Sequence, residues 1–311
     1  MTRKGSLDGK RILITGGSGF IGGHLVSQIV SQSESVAVIS RTARNLPEGV
    51  TTFVGDLRDQ AFVRDAVQHF CPNVIFHLGG FKERSNSPAA FSAAIDVNIS
   101  GTLNLLLAAG TLSSLEIVVT LGTASEYGQI ATPYVEGTRE QPMNPYAFSR
   151  QCVTHLCELF HATQGLPVAI LRATMAYGPR QGADMFVPAL IGALLAEKTF
   201  PMTAGEQTRD YVFVSDVVQA LFLAATKPQA VGRIINIGGG QPVVIADLAR
   251  KIERMVGTSG KVLIGALPYR PGEAMDYSVD TSLGHELLRW TPQVSLEEGL
   301  QATINWFRAT A

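Results

Sequence analysis

The chain has 311 residues, 46% apolar and 16% charged, which is enough apolar surface for a sizeable core and excludes a disordered chain. Lys and Arg number 25 against 26 Asp and Glu; the net charge of −1 gives no electrostatic reason to expect nucleic acid or an anionic membrane as partner. No apolar stretch approaches the ~18 residues needed to span a bilayer. The N-terminus lacks the apolar segment of a secretory signal, and Cys71, Cys152 and Cys157 lack metal-ligand spacing, so a cytoplasmic protein without a metal site is expected.

The first half alternates strand and helix signals. Short apolar, β-branched runs fall at Arg11–Thr15, Ser35–Arg41, Thr51–Val54, Asn73–Leu78, Glu116–Leu121 and Pro167–Arg172. Helical spacing fills Phe20–Gln32, Asp59–Phe70, Pro88–Ala109 and Tyr146–Gln164. Continuously apolar strands separated by helices imply a Rossmann-type, doubly wound parallel sheet of the α/β class. The second half is less regular: helices at Met185–Glu197, Asp216–Thr226, Ile245–Val256 and Ser295–Arg308, strands at Tyr211–Val214 and Arg233–Ile237. The two parts are expected to pack closely around a ligand cleft.

After the first strand comes Thr15-Gly16-Gly17-Ser18-Gly19-Phe20-Ile21-Gly22, then a helix. Gly16 permits a tight turn, Gly19 lets the backbone approach a pyrophosphate, and Gly22 lets helix and strand pack closely. The helix N-terminus offers free N–H groups to the phosphates. A dinucleotide's adenosine ribose then meets the end of the second strand. An acid there binds the 2′-hydroxyl; here the strand ends Ser40-Arg41, with Arg44 beyond, and a guanidinium suits a 2′-phosphate. NADP is therefore expected over NAD, a solvated arginine being the alternative. Asp56-Leu57 can meet the adenine, or form a plain surface turn.

Tyr146 and Arg150 lie four apart and share a helix face. Thr123, in Leu121-Gly122-Thr123-Ala124-Ser125-Glu126-Tyr127-Gly128, follows the fifth strand at the mouth of the cleft. A phenol titrates near pH ~10, and a fixed cation lowers that toward neutrality, where a proton can be given or taken.

This ordered set resembles the extended short-chain dehydrogenase/reductase family, in its nucleotide-sugar epimerase, dehydratase and 4-ketoreductase branch. The shared pieces are the TGxxGFIG loop at 15–22, Asp56-Leu57, Asn98 within Val97–Thr102, Tyr127-Gly128, Tyr146-x-x-x-Arg150, Tyr177-Gly178-Pro179-Arg180, Arg209–Asp216 and Arg270-Pro271-Gly272-Glu273. The resemblance implies a cofactor domain over 1–175, with returning segments at about 210–238, and a smaller α+β substrate domain over 176–209 and 239–311. It implies Tyr146 as acid/base, Thr123 (Ser125 as fallback) as the hydroxyl on the same oxygen, and Arg150 at the nicotinamide ribose. Asn98 joins the cofactor residues, while Arg209, Arg270 and, more weakly, Arg180 meet the diphosphate of a nucleotide-sugar. It also implies a homodimer through the helices at 88–109 and 146–164.

The chain departs from the family in three places. Arg150 replaces Lys, and Arg is effectively never deprotonated. Met175 stands where relatives have Asn. His77-Leu78-Gly79-Gly80 replaces a more usual Ala-Ala ending. Dehydratases of the group carry an acid directly after the Thr, then Glu; here Ala124 and Ser125 follow. Epimerases usually have an acid ending the second strand. The expected activity is thus NADPH-dependent reduction of a nucleotide-linked 4-keto-6-deoxy sugar. An NAD-dependent 4-epimerase is the alternative, and a catalytically impaired NADP-binding sensor a further one.

Overall fold

The computed structural model describes residues 7–30, 32–33, 35–42, 46–270 and 272–310; Arg44 and Pro271 of the sequence reading lie outside these. Seven parallel strands form one sheet: β1 (Arg11–Thr15), β2 (Ser35–Ser40), β3 (Thr51–Val54), β4 (Val74–His77), β5 (Ile117–Thr123), β6 (Val168–Ala173) and, returning from the second half, a strand at Arg233–Ile237. The order runs Arg233–Ile237, β6, β5, β4, β1, β2, β3, so connections reverse direction between β1 and β4. That reversal opens a crevice at the carboxyl ends of the strands, where doubly wound sheets bind ligands.

Alternation along each strand feeds two cores. Ile12 and Ile14 of β1 pack on one face with Val74 and Phe76 of β4; Leu13 and Ile75 point to the other. Helices α1 (Phe20–Val30) and α2 (Gln60–Phe70) follow β1 and β3. The run 88–109 is not one α-helix. It comprises α3 (Pro88–Ala94), a π-helical turn (Ile95–Ser100) and α4 (Gly101–Ala109). By length and composition this 22-residue run could cross a membrane, contrary to the sequence reading that no stretch approaches the length. It packs on α2 and on α5 (Pro145–Gln164), as a core helix does. Asn144 caps α5 by accepting from the Ala147 N–H, and Pro145 takes the first helical position, so Tyr146 falls in the first turn.

The expected strand at 211–214 is present as Tyr211–Phe213, and it pairs with β7 (Met175–Tyr177), which the sequence reading missed; it also missed Thr208–Arg209, paired with Val243–Val244, and Phe200–Pro201, paired with Val262–Leu263. At two or three residues they are too short to show a period. A third core joins α6 (Phe186–Leu195) to the helices Ile245–Val256 and Leu296–Thr310. A fourth cluster, Ala124, Tyr127, Tyr134, Tyr277 and Val279, lies beneath the cleft.

Candidate active site

The glycine loop sits at the β1–β4 reversal. Gly16 has φ +71°, and a Cβ there would lie 2.7 Å from the Gly79 nitrogen; one on Gly22 would lie 2.1 Å from the Gly16 carbonyl oxygen. Loop, helix and β4 end therefore close on one another only as glycine. Phe20 and Ile21 open α1, whose first turn carries no acid to oppose an anion. Chain and dinucleotide thus fit: a cradle without side chains faces a helix N-terminus. Gly19 makes the milder approach, its missing Cβ 3.2 Å from the Gly16 carbonyl oxygen.

At the other end of the loop the Ser18 and Ser40 hydroxyls are 3.0 Å apart. β2 stops at Ser40, leaving Arg41 exposed just past it. Asp56 is held by a bidentate pair to Arg58 at 2.8–3.0 Å. Those bonds keep its carboxyl below the usual range, and the charge of Arg41 acts in the same direction. Leu57 is partly buried and packs against the second core.

Arg150 is buried. One arm of its fork donates to the Leu121 carbonyl of β5, and no carboxylate pairs with it among the described residues. A Cβ on Gly80 would sit 3.3 Å from Arg150 Nη1 and 2.8 Å from Asn98 Oδ1. Asn98 and the Arg150 guanidinium thus both crowd the place where a side chain at 80 would begin. Asn98, expected at the cofactor, uses its amide on protein partners. It accepts from the Phe81 N–H (2.7 Å) and donates to the Phe81 carbonyl (3.0 Å) and Ser149 Oγ (2.8 Å), so it clamps the loop after β4 onto α5.

His77 fills the core beneath. Thr102 donates to the Asn98 carbonyl, so His77 Nε2 donates to Thr102 (2.8 Å), and Nδ1 accepts from Thr15 (2.7 Å), whose oxygen takes the Gly79 N–H (3.0 Å). Burial, and then the charge of Arg150, push this imidazole down to about 3, so it stays neutral.

Thr123 is the last residue of β5. Its Oγ accepts from the Ser125 N–H (3.2 Å), which leaves its own proton to donate. Tyr277 lies 3.2 Å from Ser125 Oγ and within reach of Thr123. Burial pushes the Tyr277 phenol up to about 12, so it acts as a hydrogen-bonding group rather than a base. Arg84 stands 5.6 Å from the centre of the Tyr146 ring, and its charge also reaches Tyr277. The sequence reading missed Arg84 and Tyr277. Both sit in irregular segments, where no spacing marks them.

Arg209 is buried beside the fourth cluster, 5.9 Å from the Tyr277 ring, and paired with Glu273. Arg270, three residues before Glu273, is exposed on the same turn. A cleft of about 290 Å³ adjoins this turn, lined by residues 128–132, Tyr134 and residues 273–276. Arg180 lies elsewhere. Its guanidinium comes within 3.6 Å of where a Gly23 Cβ would stand, so it lies against the first turn of α1.

A model of the NAD dependent epimerase/dehydratase family matches residues 12–238. The dTDP-glucose 4,6-dehydratase of Haemophilus influenzae is 29% identical, covering 95% of this chain and 97% of its own. The UDP-N-acetyl-alpha-D-glucosaminuronate decarboxylase of Bacillus cytotoxicus is 31% identical, covering 96% and 98%. Among solved structures, the UDP-glucuronic acid 4-epimerase of Bacillus cereus, in complex with UDP-glucuronic acid and NAD, superposes with a TM-score of 0.88 at 28% identity, covering 97% and 100%.

Proposed function

The chain belongs to the NAD dependent epimerase/dehydratase family, and from that premise we propose that it is an NADPH-dependent reductase of nucleotide-linked 4-keto-6-deoxy sugars. The observation that carries this reading is the end of β2. Ser18, Ser40 and the exposed Arg41 stand there, and the nearby carboxylate, Asp56, is already held by Arg58. Hydroxyls and a free guanidinium suit a 2′-phosphate. A cofactor that is consumed and exchanged suits net reduction. The Ala124-Ser125 pair supports a reductase over a dehydratase, because no acid directly follows Thr123 and the Glu126 carboxylate is buried against protein.

In this reading Gly16, Gly19, Phe20, Ile21 and Gly22 hold the pyrophosphate, Arg41, Asp56 and Leu57 the adenosine, and Tyr146 with Arg150 the nicotinamide ribose. Bound NADPH supplies a hydride to C4. Tyr146 gives a proton to the oxygen there, and Thr123 donates a hydrogen bond to the same atom. Arg150 holds positive charge beside them and cannot lose a proton, so Tyr146 regains its own through water or a ribose hydroxyl. Ser125 faces the sugar, and Arg209 and Arg270 take the diphosphate. The exposed Phe91, Ile95, Leu103 and Leu107 on the 88–109 run, with Phe148 and Leu159 on α5, support a homodimer. A cytoplasmic location goes with a soluble cofactor of this kind.

The test is NADPH oxidation by the purified protein with UDP-, GDP-, CDP- and dTDP-linked 4-keto-6-deoxy sugars. The second reading, an NAD-dependent 4-epimerase, is favoured by the NAD-bound epimerase neighbour. Tightly bound NAD and interconversion of 4-epimers without net oxidation would establish it. NADPH binding with no turnover of any sugar would make the protein a sensor.

A further inference from the structure

We propose that Glu126 is a positioning residue, whose carboxylate fixes Thr123 relative to the helix that carries Tyr146. This rests on the reading of Thr123 as the hydroxyl that meets the reacting oxygen.

Glu126 is fully buried and cannot reach substrate. Its Oε1 accepts from the Thr123 N–H (2.8 Å), while the Thr123 hydroxyl accepts from the Ser125 N–H, in a reciprocal capping box. The box fixes the Thr123 oxygen and leaves its proton to donate away from the turn. Its Oε2 accepts from Thr154 Oγ (2.7 Å) and Arg172 Nε (2.8 Å). Thr154 lies on α5, two turns beyond Tyr146. Arg172 comes from β6, continues to Glu140 in the segment leading into α5 (2.5 Å), and lies 4.6 Å over the Tyr127 ring. One carboxylate thus joins the end of β5, the helix of Tyr146 and β6. These are the elements whose spacing sets the distance between the two proposed catalytic groups, and small misplacements there are costly. No other carboxylate bonds to the Thr123 turn among the described residues.

The test is a double-mutant cycle between Glu126→Gln and Thr123→Ala, read as kcat for NADPH oxidation by a nucleotide-linked 4-keto sugar. Acting through Thr123, Glu126→Gln is expected to lower kcat roughly ten- to a hundredfold while KM and NADPH affinity move less than about twofold. In the Thr123→Ala background it should lower kcat by less than about twofold. An unchanged kcat, or an equal fall in both backgrounds, overturns the proposal. If Glu126→Gln does not fold, Thr154→Val releases one arm alone; it should lower kcat in the Thr123 background only, and an equal effect in both refutes the idea. If the native protein turns over no sugar, the reductase reading fails separately. The crystal structure of Glu126→Gln or Thr154→Val then decides: a displaced Thr123 hydroxyl sustains the positioning role, and an unmoved one ends it.

Discussion

Arg209 is paired with Glu273, and Glu273 hangs from the same turn as the exposed Arg270. Before a diphosphate arrives, a carboxylate occupies the guanidinium that would bind it. Arg209→Ala and Arg270→Ala are each expected to raise substrate KM roughly ten- to a hundredfold, the worth of about 1.5–3 kcal/mol for a charged hydrogen bond, with NADPH affinity unchanged. Glu273→Gln removes the competitor and should lower KM. A higher KM in Glu273→Gln would mean that the ion pair holds the site together instead.

Cofactor choice is read from Arg41. The native protein should bind NADPH more tightly than NADH in equilibrium titrations. Arg41→Asp removes a phosphate partner and adds a like charge, so it should weaken NADPH by much more than NADH. Equal native affinities would sink the assignment.

Tyr146→Phe should nearly abolish turnover and leave NADPH binding intact, since only the transferable proton is lost. Arg150→Ala should lower kcat and weaken NADPH. Arg150→Lys should keep substantial activity, because the space at Gly80 accepts the slimmer side chain. Activity that appears only in Arg150→Lys would mark the native site as one that has lost catalysis.

His77 makes stability depend on pH. Its folded value is about 3 against an ordinary 6.5, so between these the unfolded chain takes up a proton that the folded one refuses. Stability is full above about 6.5 and falls as the pH drops, by at most about 1.4 kcal/mol per unit. Asp210, raised to about 6 by burial, works oppositely: the folded chain gains its proton first, which adds stability as the pH falls from about 6 toward 3.8. Denaturation midpoints of His77→Gln should therefore hold up better than the native ones between pH 6.5 and 4.5. Parallel curves would show that His77 does not titrate this way.

The apolar face of α5 and the 88–109 run gives a fifth test. Leu159→Arg, at an exposed position, should convert a dimer to a monomer by light scattering without loss of helix content. A native protein that is already monomeric at micromolar concentration removes the proposal.

The sheet was legible because buried parallel strands are continuous apolar runs, and Gly16 to Gly22 mark their own turn. That Tyr146 and Arg150 share a helix face, and that Thr123 ends a strand, could be read along single elements. Other roles were not, because they depend on partners far away in the chain. Nothing near Asn98 in the sequence shows that its amide bonds Phe81 and Ser149. Glu126 shows in the sequence only as an acid after Ala124-Ser125; Thr154 and Arg172, 28 and 46 residues on, show where its Oε2 goes. Arg180 read with Arg209, yet the loop after β7 folds it back onto α1.

The π-helical turn at Ile95–Ser100 sets an angle. An α-helix advances about 100° per residue, so Ile95 and Leu103, eight apart, would point about 80° away from each other on an unbroken helix. A π turn absorbs about one residue, which brings the pair to within about 20°. Phe91 before the turn and Ile95 at its first residue thereby fall into phase with Leu103 and Leu107 after it. Deleting a single residue there would turn the π turn into plain α-helix and keep the apolar stripe continuous, because the pair would then stand seven apart, about 20° from alignment.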